Sequence, residues 1–419
     1  MGEFDIWAGI DWGSETHQVC VMDSERNVLL ECAVAHSGQA LSDLVEKLTT
    51  LVRGEVGRLA VAIEVPRGAV VETLLERGFG VFAINPKQLD RFRDRHTVAG
   101  AKDDRRDALV LADSLRTDSH AFRRARLGDA ALVQLRELSR THDELKEERI
   151  ALGNRLQEQL RRYFPQILEL DSVHDASWLW ALLERAPTPD AAQRLSLAKI
   201  RSILRQHRIR RLTPEQVREI LAAKPLHVAP GVTDACRQRI SVLLPRIRLA
   251  HEQKLELERD IETLLEEVSA PDGEGKAEHR DALLLQSLPG LGKLVCATML
   301  GEAAEPLEQR DYSTLRGLCG VAPVTKRSGK QLAVSMRTNC NKRLRTAIHY
   351  WSANAVLRDA FWKSRYAKLR AAGHNHSRAL RAIGDRLLAV LVAVLKAGTP
   401  YDPGRRRAVP ELGPTAAPV

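Results

Sequence analysis

The sequence lacks the features that would place a protein in a membrane, outside the cell or around a structural zinc ion. Its six cysteines show no CxxC pair, which excludes the common zinc-site spacing and favours reduced thiols. The chain opens with Glu3 and Asp5 rather than a basic leader, and no apolar run approaches the roughly 18 residues that a membrane span needs. We therefore expect a soluble, cytoplasmic protein without a membrane partner.

Positive charge is concentrated in one segment. The chain has 64 Lys or Arg against 54 Asp or Glu, a net charge of +10. Between positions 324 and 386 there are fifteen basic and two acidic residues, a net of +13, so the remainder is slightly acidic. Charge of this sign favours a polyanionic partner such as nucleic acid over an acidic small molecule.

Residues 1–125 predict an α/β domain with a mixed sheet. Three short β-rich runs lie between Phe4 and Ala35, with turn residues between them. Strands at 58–64 and 80–84 then alternate with helices at 39–52, 68–77 and 101–115, and an Asn85-Pro86 turn follows the last strand. An antiparallel start followed by this alternation predicts a sheet covered by helices.

Four carboxylates fall at the ends of these predicted elements. Asp11 ends the run FDIWAGID, Glu64 ends LAVAIE, and Asp104 and Asp107 share one face of a helix. Each acid alone is more simply a solvated side chain. As a set they supply the hard oxygen ligands of two Mg²⁺ ions, which can stabilise the attacking and leaving oxygens of a phosphodiester. The set indicates an RNase H or RuvC-like site.

Residues 126–275 predict a helical region built on two long helices. Leucines spaced by seven mark the first, from Asp129 to Phe164, and apolar steps of three and four mark the second, from Ile247 to Val268. Two interpretations stay open: coiled-coil arms that join subunits into a homodimer or tetramer, or two ordinary helices packed within one chain. Between them, Thr213-Pro214-Glu215-Gln216 predicts a capping box.

Residues 276–398 predict a mostly α-helical domain after a polar linker at 271–278. Near its start, Pro289-Gly290-Leu291-Gly292 separates two helical runs. The glycines of such a helix-hairpin-helix expose backbone N–H groups that can hold a phosphate without reading sequence. A plain glycine turn is the alternative. Residues 399–419, with five prolines, look like a disordered tail.

A serine stands among cations in the basic segment. Ser328 lies in KRSGK, flanked by Lys326, Arg327 and Lys330. Such cations offset phosphate charge and favour attack by a hydroxyl, although a Ser-Gly turn that only contacts DNA needs no nucleophile. The other candidate contacts with nucleic acid in this segment are Arg337, Lys342, Arg343 and Arg345.

The ordered series of motifs resembles the DEDD transposases, the insertion-sequence recombinases that include bridge-RNA-guided enzymes and Piv-type DNA invertases. The motifs are GIDWGSETH, AIEVP, Asn85-Pro86, KDDRRDA, LPGLG, GLCGVAP, and SGK followed by NKRLR. They cover roughly residues 5–120 and 283–360.

The resemblance implies a RuvC-like domain joined to a C-terminal transposase domain. By motif, Asp11, Glu64, Asp104 and Asp107 become Mg²⁺ ligands, and Ser328 becomes the nucleophile that forms a phosphoserine link to DNA. The implied partners are the DNA of the element ends and target, and a structured bridge RNA that guides the choice of DNA.

Three other functions compete with this one. GIDWGSETH also looks like the first phosphate loop of actin-like sugar kinases, but the second phosphate loop and the adenosine glycines of those kinases are missing from the sequence. A RuvC-like structure-specific endonuclease shares the acids and would not need the serine-bearing domain. A nucleic-acid-binding protein with a decayed site is the third, and the presence of all four acids counts against it.

Overall fold

The computed structural model describes residues 4–66, 68–84, 89–93, 103–125, 129–270, 280–328 and 331–408. The chain divides into two compact units, Met1–Gly128 and Asp129–Val419. Within the described ranges, every helix is too short or too polar to cross a lipid bilayer.

The first unit is built on a six-stranded sheet in the order β3-β2-β1-β4-β5-β6. Neighbouring strands among β1, β2 and β3 are antiparallel, β1, β4 and β5 run parallel, and β6 is antiparallel to β5. The strands are β1 (Ile6–Asp11), β2 (Thr16–Asp23), β3 (Val28–Ala35), β4 (Leu59–Ile63), β5 (Gly80–Ala83) and β6 (Arg123–Arg124). The predicted antiparallel start and mixed sheet are confirmed.

Helices cover both faces of this sheet. Helices α1 (Gly38–Leu51) and α2 (Ala69–Glu76) share a core with Leu59, Val61 and Ile63 of β4. The alternate β4 residues, Ala60 and Ala62, pack with helix α3 (Asp104–Thr117) on the other face. Both faces of β4 are buried, which is why its sequence is an unbroken apolar run. The predicted Asn85-Pro86 turn lies outside the described residues.

Two long helices dominate the second unit. Helix α4 (Ala130–Tyr163) and helix α9 (Val232–Ser269) pack along each other. The start of α4 shares a hydrophobic core with the end of α9, and the end of α4 shares a second core with the start of α9, so the pair is antiparallel. The predicted long helices therefore exist and pack within one chain. Coiled-coil contacts between subunits stay a prediction.

Four short helices fill the chain between α4 and α9 and surround the second of those cores. They are α5 (Ser177–Arg185), α6 (Pro189–Gln193), α7 (Leu197–Gln206) and α8 (Pro214–Ala222). Helix α8 begins with the predicted capping box, in which Thr213 accepts from the Gln216 N–H and the Gln216 side chain accepts from the Thr213 N–H.

The remainder of the second unit is helical apart from one β-hairpin. The helices are α10 (Arg280–Gln286), α11 (Lys293–Glu302), α12 (Ala304–Glu308), α13 (Tyr312–Leu318), α14 (Lys342–Arg358), α15 (Ala360–Ala371) and α16 (His376–Ala397). The hairpin strands are β7 (Val324–Ser328) and β8 (Gln331–Ser335).

The first part of the predicted tail is structured. Residues Pro403–Ala408 form a 3₁₀ helix, and the Tyr401 N–H donates to the Ser287 hydroxyl at 2.9 Å. Tyr401 also packs against the hydrophobic core that α10 to α16 share, and this apolar contact holds the start of the tail in place. The rest of the predicted tail, residues 409–419, lies outside the described residues.

Candidate active site and nucleic-acid interface

Two of the predicted acids end neighbouring parallel strands. Ile10 of β1 pairs with Ile63 of β4, so Asp11 and Glu64 are the next residues on the two strands. Side chains alternate along a strand, and Asp11 and Glu64 therefore lie on the face of Gly9 and Ala62, which is the face covered by α3.

Helix α3 brings the other two acids to the same end of β1. A Cβ on Gly9 would lie 2.0 Å from the Ala108 carbonyl oxygen, so helix and strand are in backbone contact. At its far end, α3 reaches past the start of β1, where Arg116 Nη1 donates to the Ser24 carbonyl at 3.1 Å. The first turn of α3 must then lie beside the last residues of β1.

The three acids at the start of α3 have different environments. Asp103 is the N-cap, and its carboxylate accepts from the Arg105 N–H at 3.3 Å. Asp104 is exposed, whereas Asp107 is only 2% exposed. Asp103 and Asp104 both lie one helical turn before Asp107, so the choice of Asp104 as the second acid of the pair stays a prediction.

Asp107 is bound by an arginine that the sequence reading did not single out. Arg93 donates from Nε to Asp107 Oδ1 at 2.7 Å and from Nη2 to Oδ2 at 2.8 Å. Its Nη1 donates to Asp90 at 2.7 Å. Burial alone would lower the pKa of Arg93, but Asp107, Asp90 and Glu64 raise it, which places Glu64 in the same electrostatic neighbourhood.

The four predicted acids provide the type of ligand that a magnesium site needs, but their side chains are not grouped closely enough to form one. Carboxylate oxygens are the ligands that Mg²⁺ prefers, and Asp11, Glu64, Asp104 and Asp107 lie toward the same end of β1, β4 and α3. In the part of the chain that the structure describes, no three His, Cys, Asp or Glu side chains are grouped closely enough to hold a metal ion. Arg93 takes both oxygens of Asp107 in this arrangement.

The loop after Asp11 is fixed by a buried histidine. His17 is fully buried on β2, and its Nδ1 accepts from the Gly13 N–H at 3.3 Å. Its Nε2 lies 2.9 Å from His36 Nδ1. Burial, and then the charge of His36, lower the pKa of His17, so the neutral imidazole that can accept from Gly13 is the stable form. His17, the last residue of the motif GIDWGSETH, therefore helps to hold Gly13 of the same motif in place.

Ser328 lies at the tip of the β7–β8 hairpin. It is the last residue of β7 and pairs with Gln331, the first residue of β8. Lys326 and Arg327 precede it on the same strand, and Lys330 lies outside the described residues. The prediction from the sequence placed this serine in a loop. It ends a strand instead, because the β-forming residues on both sides of Gly329-Lys330 pair with each other.

The glycine hairpin before α11 packs against α14. A Cβ on Gly290 would lie 2.6 Å from the Ala355 backbone nitrogen, and Gly290 has a φ of +73°. Trp351 of α14 donates to the Pro289 carbonyl at 3.0 Å. Gly290 therefore has a packing reason to be glycine, and phosphate binding at Gly290 and Gly292 stays a prediction.

The predicted basic contacts divide into exposed and structural residues. Lys342 is exposed and Arg337 is half-buried. Arg343 pairs with Asp143 of α4 at 2.7 Å, and Arg345 donates to the Arg337 carbonyl at 2.8 Å. Arg343 and Arg345 thus hold protein groups in place, and Lys342 is the more accessible cation.

A buried polar network anchors the start of α14. Glu302 of α11 has a side chain 5% exposed and accepts from Arg140 Nε of α4 at 2.7 Å. Asn341 donates to the same carboxylate at 2.8 Å and caps α14 through its side-chain oxygen. The sequence signal was an Asn before a helix, a typical N-cap, but nothing in it indicated Glu302 and Arg140 as partners.

Comparisons with known proteins agree on one family. Residues 8–165 match the DEDD transposase domain of IS110-type elements, and residues 282–367 match the transposase domain of the IS116/IS110/IS902 family. The two matched ranges contain the acid cluster and the serine hairpin respectively.

Curated relatives are named as putative transposases or as insertion-element proteins. The chain is 50% identical to "Putative transposase y4uE" of Sinorhizobium fredii over 49% of this chain and 57% of that protein. It is 29% identical to "Mini-circle putative transposase for IS117" of Streptomyces coelicolor over 96% of both chains. It is 27% identical to the IS900 42 kDa protein of Mycobacterium paratuberculosis over 95% of this chain and 97% of that one. The chain belongs to the IS110/IS116/IS902 family of insertion-sequence transposases.

Proposed function

We propose that this chain is a DNA recombinase that cuts and rejoins the ends of its own insertion sequence and the target DNA. Ser328 is the nucleophile, and Asp11, Glu64, Asp104 and Asp107 form a Mg²⁺-binding group. The observation that carries the proposal is the placement of these four acids toward the same end of β1, β4 and α3. Membership in the transposase family supports DNA as the substrate.

In this reaction the Ser328 hydroxyl oxygen bonds to the phosphorus as one DNA oxygen leaves and takes up a proton. The product is a phosphoserine ester, and a hydroxyl of the partner strand reverses the step by displacing serine. Mg²⁺ held by the acids supplies charge stabilisation to a phosphate and its leaving oxygen. The position of Ser328 at a hairpin tip supports the role, because the tip of a hairpin can reach a DNA strand.

We also propose that a structured bridge RNA selects the DNA and that the chain works in the cytoplasm as a homodimer or tetramer. The net charge of +13 over residues 324–386 gives a polyanion-binding surface that suits both RNA and DNA. Sequencing the RNA that co-purifies with the protein tests the guide. A specific RNA encoded beside its gene would support it, and a random sample of cellular RNA would contradict it.

The covalent step is tested with Ser328→Ala. Element-end DNA and Mg²⁺ should give a protein–DNA adduct stable to denaturant with the wild type, and no adduct with the variant, while DNA binding is retained. Ser335→Ala is the matched control, because Ser335 lies at the other end of the same hairpin and pairs with Val324. It should form adducts at the wild-type level.

The acid cluster is tested in the same assay with Asp11→Asn, which should abolish Mg²⁺-dependent cleavage. A RuvC-like endonuclease makes a different prediction: the wild type would cut without any adduct, and Ser328→Ala would cut equally well. Adducts from Ser328→Ala at the wild-type level would remove Ser328 from the mechanism.

A further inference from the structure

The first unit supplies a cation of its own to the acid cluster. Arg93 makes two parallel hydrogen bonds to the two oxygens of Asp107, at 2.7 and 2.8 Å. This is the bidentate geometry that makes arginine–carboxylate pairs strong and directional. The carboxylate is nearly sealed from water, with a side chain 3% exposed, whereas the Arg93 side chain is 27% exposed.

The burial of Asp107 explains why a cation is needed there. A carboxylate without water is costly unless a positive charge and hydrogen bonds replace its hydration. Mg²⁺ meets the same need, but it coordinates the same oxygens at about 2.1 Å. The guanidinium uses one lone pair on each Asp107 oxygen and places a positive charge beside them, so it opposes the binding of Mg²⁺ to the same carboxylate.

A second acid holds Arg93 from the solvent side. Asp90, one helical turn before Arg93 and 65% exposed, accepts from Nη1 at 2.7 Å. Arg93 therefore has a carboxylate partner that does not belong to the metal group. When Arg93 leaves Asp107, its charge can stay paired with Asp90.

We propose that Arg93 is an internal counter-ion of the predicted metal-binding acids, which neutralises Asp107 and competes with Mg²⁺ for its carboxylate. The proposal rests on the proposed metal-binding role of Asp107. It makes Arg93 a positioning residue that keeps the metal-free site folded and lowers its affinity for metal. A purely structural Arg93 would instead support the carboxylates, and its loss would weaken metal binding.

Direct metal binding distinguishes the two roles without any DNA or catalytic step. The full chain is titrated with Mn²⁺, followed by electron paramagnetic resonance of the free ion. Arg93→Gln should bind Mn²⁺ at least about ten-fold more tightly than the wild type. Adding Asp107→Asn to Arg93→Gln should abolish that gain, because the released oxygens are then lost.

Arg91→Gln is the matched control. Arg91 is exposed, lies two residues away and carries the same charge, so its loss measures the general effect of removing a cation near an acidic site. Asp90→Asn is a milder variant that keeps the Arg93–Asp107 pair and removes only the second carboxylate partner of Arg93. It should weaken Mn²⁺ binding relative to the wild type, because Arg93 then has no other carboxylate to pair with when it leaves Asp107, and it tests the proposal even if Arg93→Gln folds poorly.

The outcomes separate this proposal from the proposed function. Equal Mn²⁺ affinity in wild type, Arg93→Gln and Asp90→Asn, or equal gains in Arg93→Gln and Arg91→Gln, would overturn the counter-ion role and leave the metal site standing. Weaker binding by Arg93→Gln would show a supporting role instead. No Mn²⁺ site in any variant would overturn the metal site and the counter-ion role together.

Discussion

At the scale of single residues, Gly9 sets how close helix α3 lies to the sheet. Its α-hydrogen faces the backbone of α3, where a Cβ would meet Ala108 O at 2.0 Å and Ala112 N at 2.5 Å. Contacts of that length involve backbone on both sides, so no side-chain rotation can relieve them. The separation between Asp11 and the acids of α3 depends on this contact.

Gly9→Ala should lower the free energy of unfolding by about 2–3 kcal/mol through overpacking, measured by urea denaturation. Gly38→Ala is the control, because nothing lies within 4 Å of a Cβ at Gly38, at the start of α1. It should be neutral or slightly stabilising. A Gly9→Ala protein as stable as the control would mean that helix and strand separate at no cost.

The cysteines fit the expectation of reduced thiols. All six lie in the described ranges and are free. Burial raises the pKa of Cys296 to about 12, and burial followed by Cys340 raises that of Cys319 to about 12. Thiols held so far from their reactive thiolate form act as small apolar side chains in the core.

The sequence could predict which acids end a strand, but not what binds them. Asp11 and Glu64 follow apolar runs whose period and length identify the strands, and register then follows from the parallel pairing. Arg93 was one of several arginines in RFRDR, and only the fold shows that it reaches Asp107. Likewise, His17 was interpreted only as part of a motif, because its partner His36 is 19 residues away in the sequence and only the fold brings the two together.

At the scale of elements, a polar junction ties three helices of the second unit together. Arg140 of α4, Glu302 of α11 and Asn341 at the start of α14 meet in one network. Burial acts to raise the pKa of Glu302, but the hydrogen bonds from Arg140 and Asn341 lower it below its ordinary value of 4.5. The ionised form is therefore the one that stabilises the fold.

Glu302→Gln should destabilise the protein by about 2 kcal/mol at pH 7, because it leaves Arg140 without its buried counter-charge. Because the pKa is lowered on folding, this contribution is present above pH 4.5 and is lost as the pH falls through the folded-state pKa. Urea denaturation at pH 7 and near pH 3 should show the difference between wild type and variant shrink.

Glu137→Gln is the control for that prediction. Glu137 also pairs with Arg140, at 3.2 Å, but its side chain is 57% exposed. Such surface pairs contribute about 0.2–1 kcal/mol. Equal effects from Glu302→Gln and Glu137→Gln would show that burial of the junction adds nothing.

Elements with a clear hydrophobic period were predictable, and the serine hairpin was not. Strands β1 to β5, the helices of the first unit and the long helices α4 and α9 carry such a period, whereas β6 is only Arg123–Arg124 and was not predicted. In β7 and β8 the alternation is obscured by Lys326 and Arg327, and the sequence Gly329-Lys330 is a weak turn signal. The leucine repeat of α4 also gave no indication that His142 and Arg149, which lie between the two cores, are buried.

At the scale of the whole molecule, the net charge of +10 hides an uneven distribution. Residues 324–386 carry +13. Some of these cations make contacts within the protein: Arg343 pairs with Asp143, and Arg345 donates to the Arg337 carbonyl. The charge available to a nucleic acid is therefore smaller than the sequence total. Because binding releases counterions from DNA, the number of phosphates contacted can be measured as the slope of log affinity against log salt concentration.

Binding to duplex DNA should weaken by about 10³-fold between 50 and 200 mM salt if about six phosphates are contacted, measured by fluorescence anisotropy. Lys342→Ala should reduce the slope of log affinity against log salt by about one contact. Lys224→Ala, an exposed lysine outside the basic segment, should leave the slope unchanged. A flat salt profile for the wild type would contradict electrostatic DNA binding.

The antiparallel pairing of α4 and α9 has a topological consequence. The end of α4 and the start of α9 meet in one core, where Cys236 lies 3.8 Å from Gln159. The chain thus leaves the pair after Tyr163 and returns to it at Val232 at nearly the same place. Residues 164–231 form a segment with adjacent ends, and its helices share one buried core with the end of α4 and the start of α9. Because the paired helices already hold its two ends together, this segment needs little further loop closure to pack onto them.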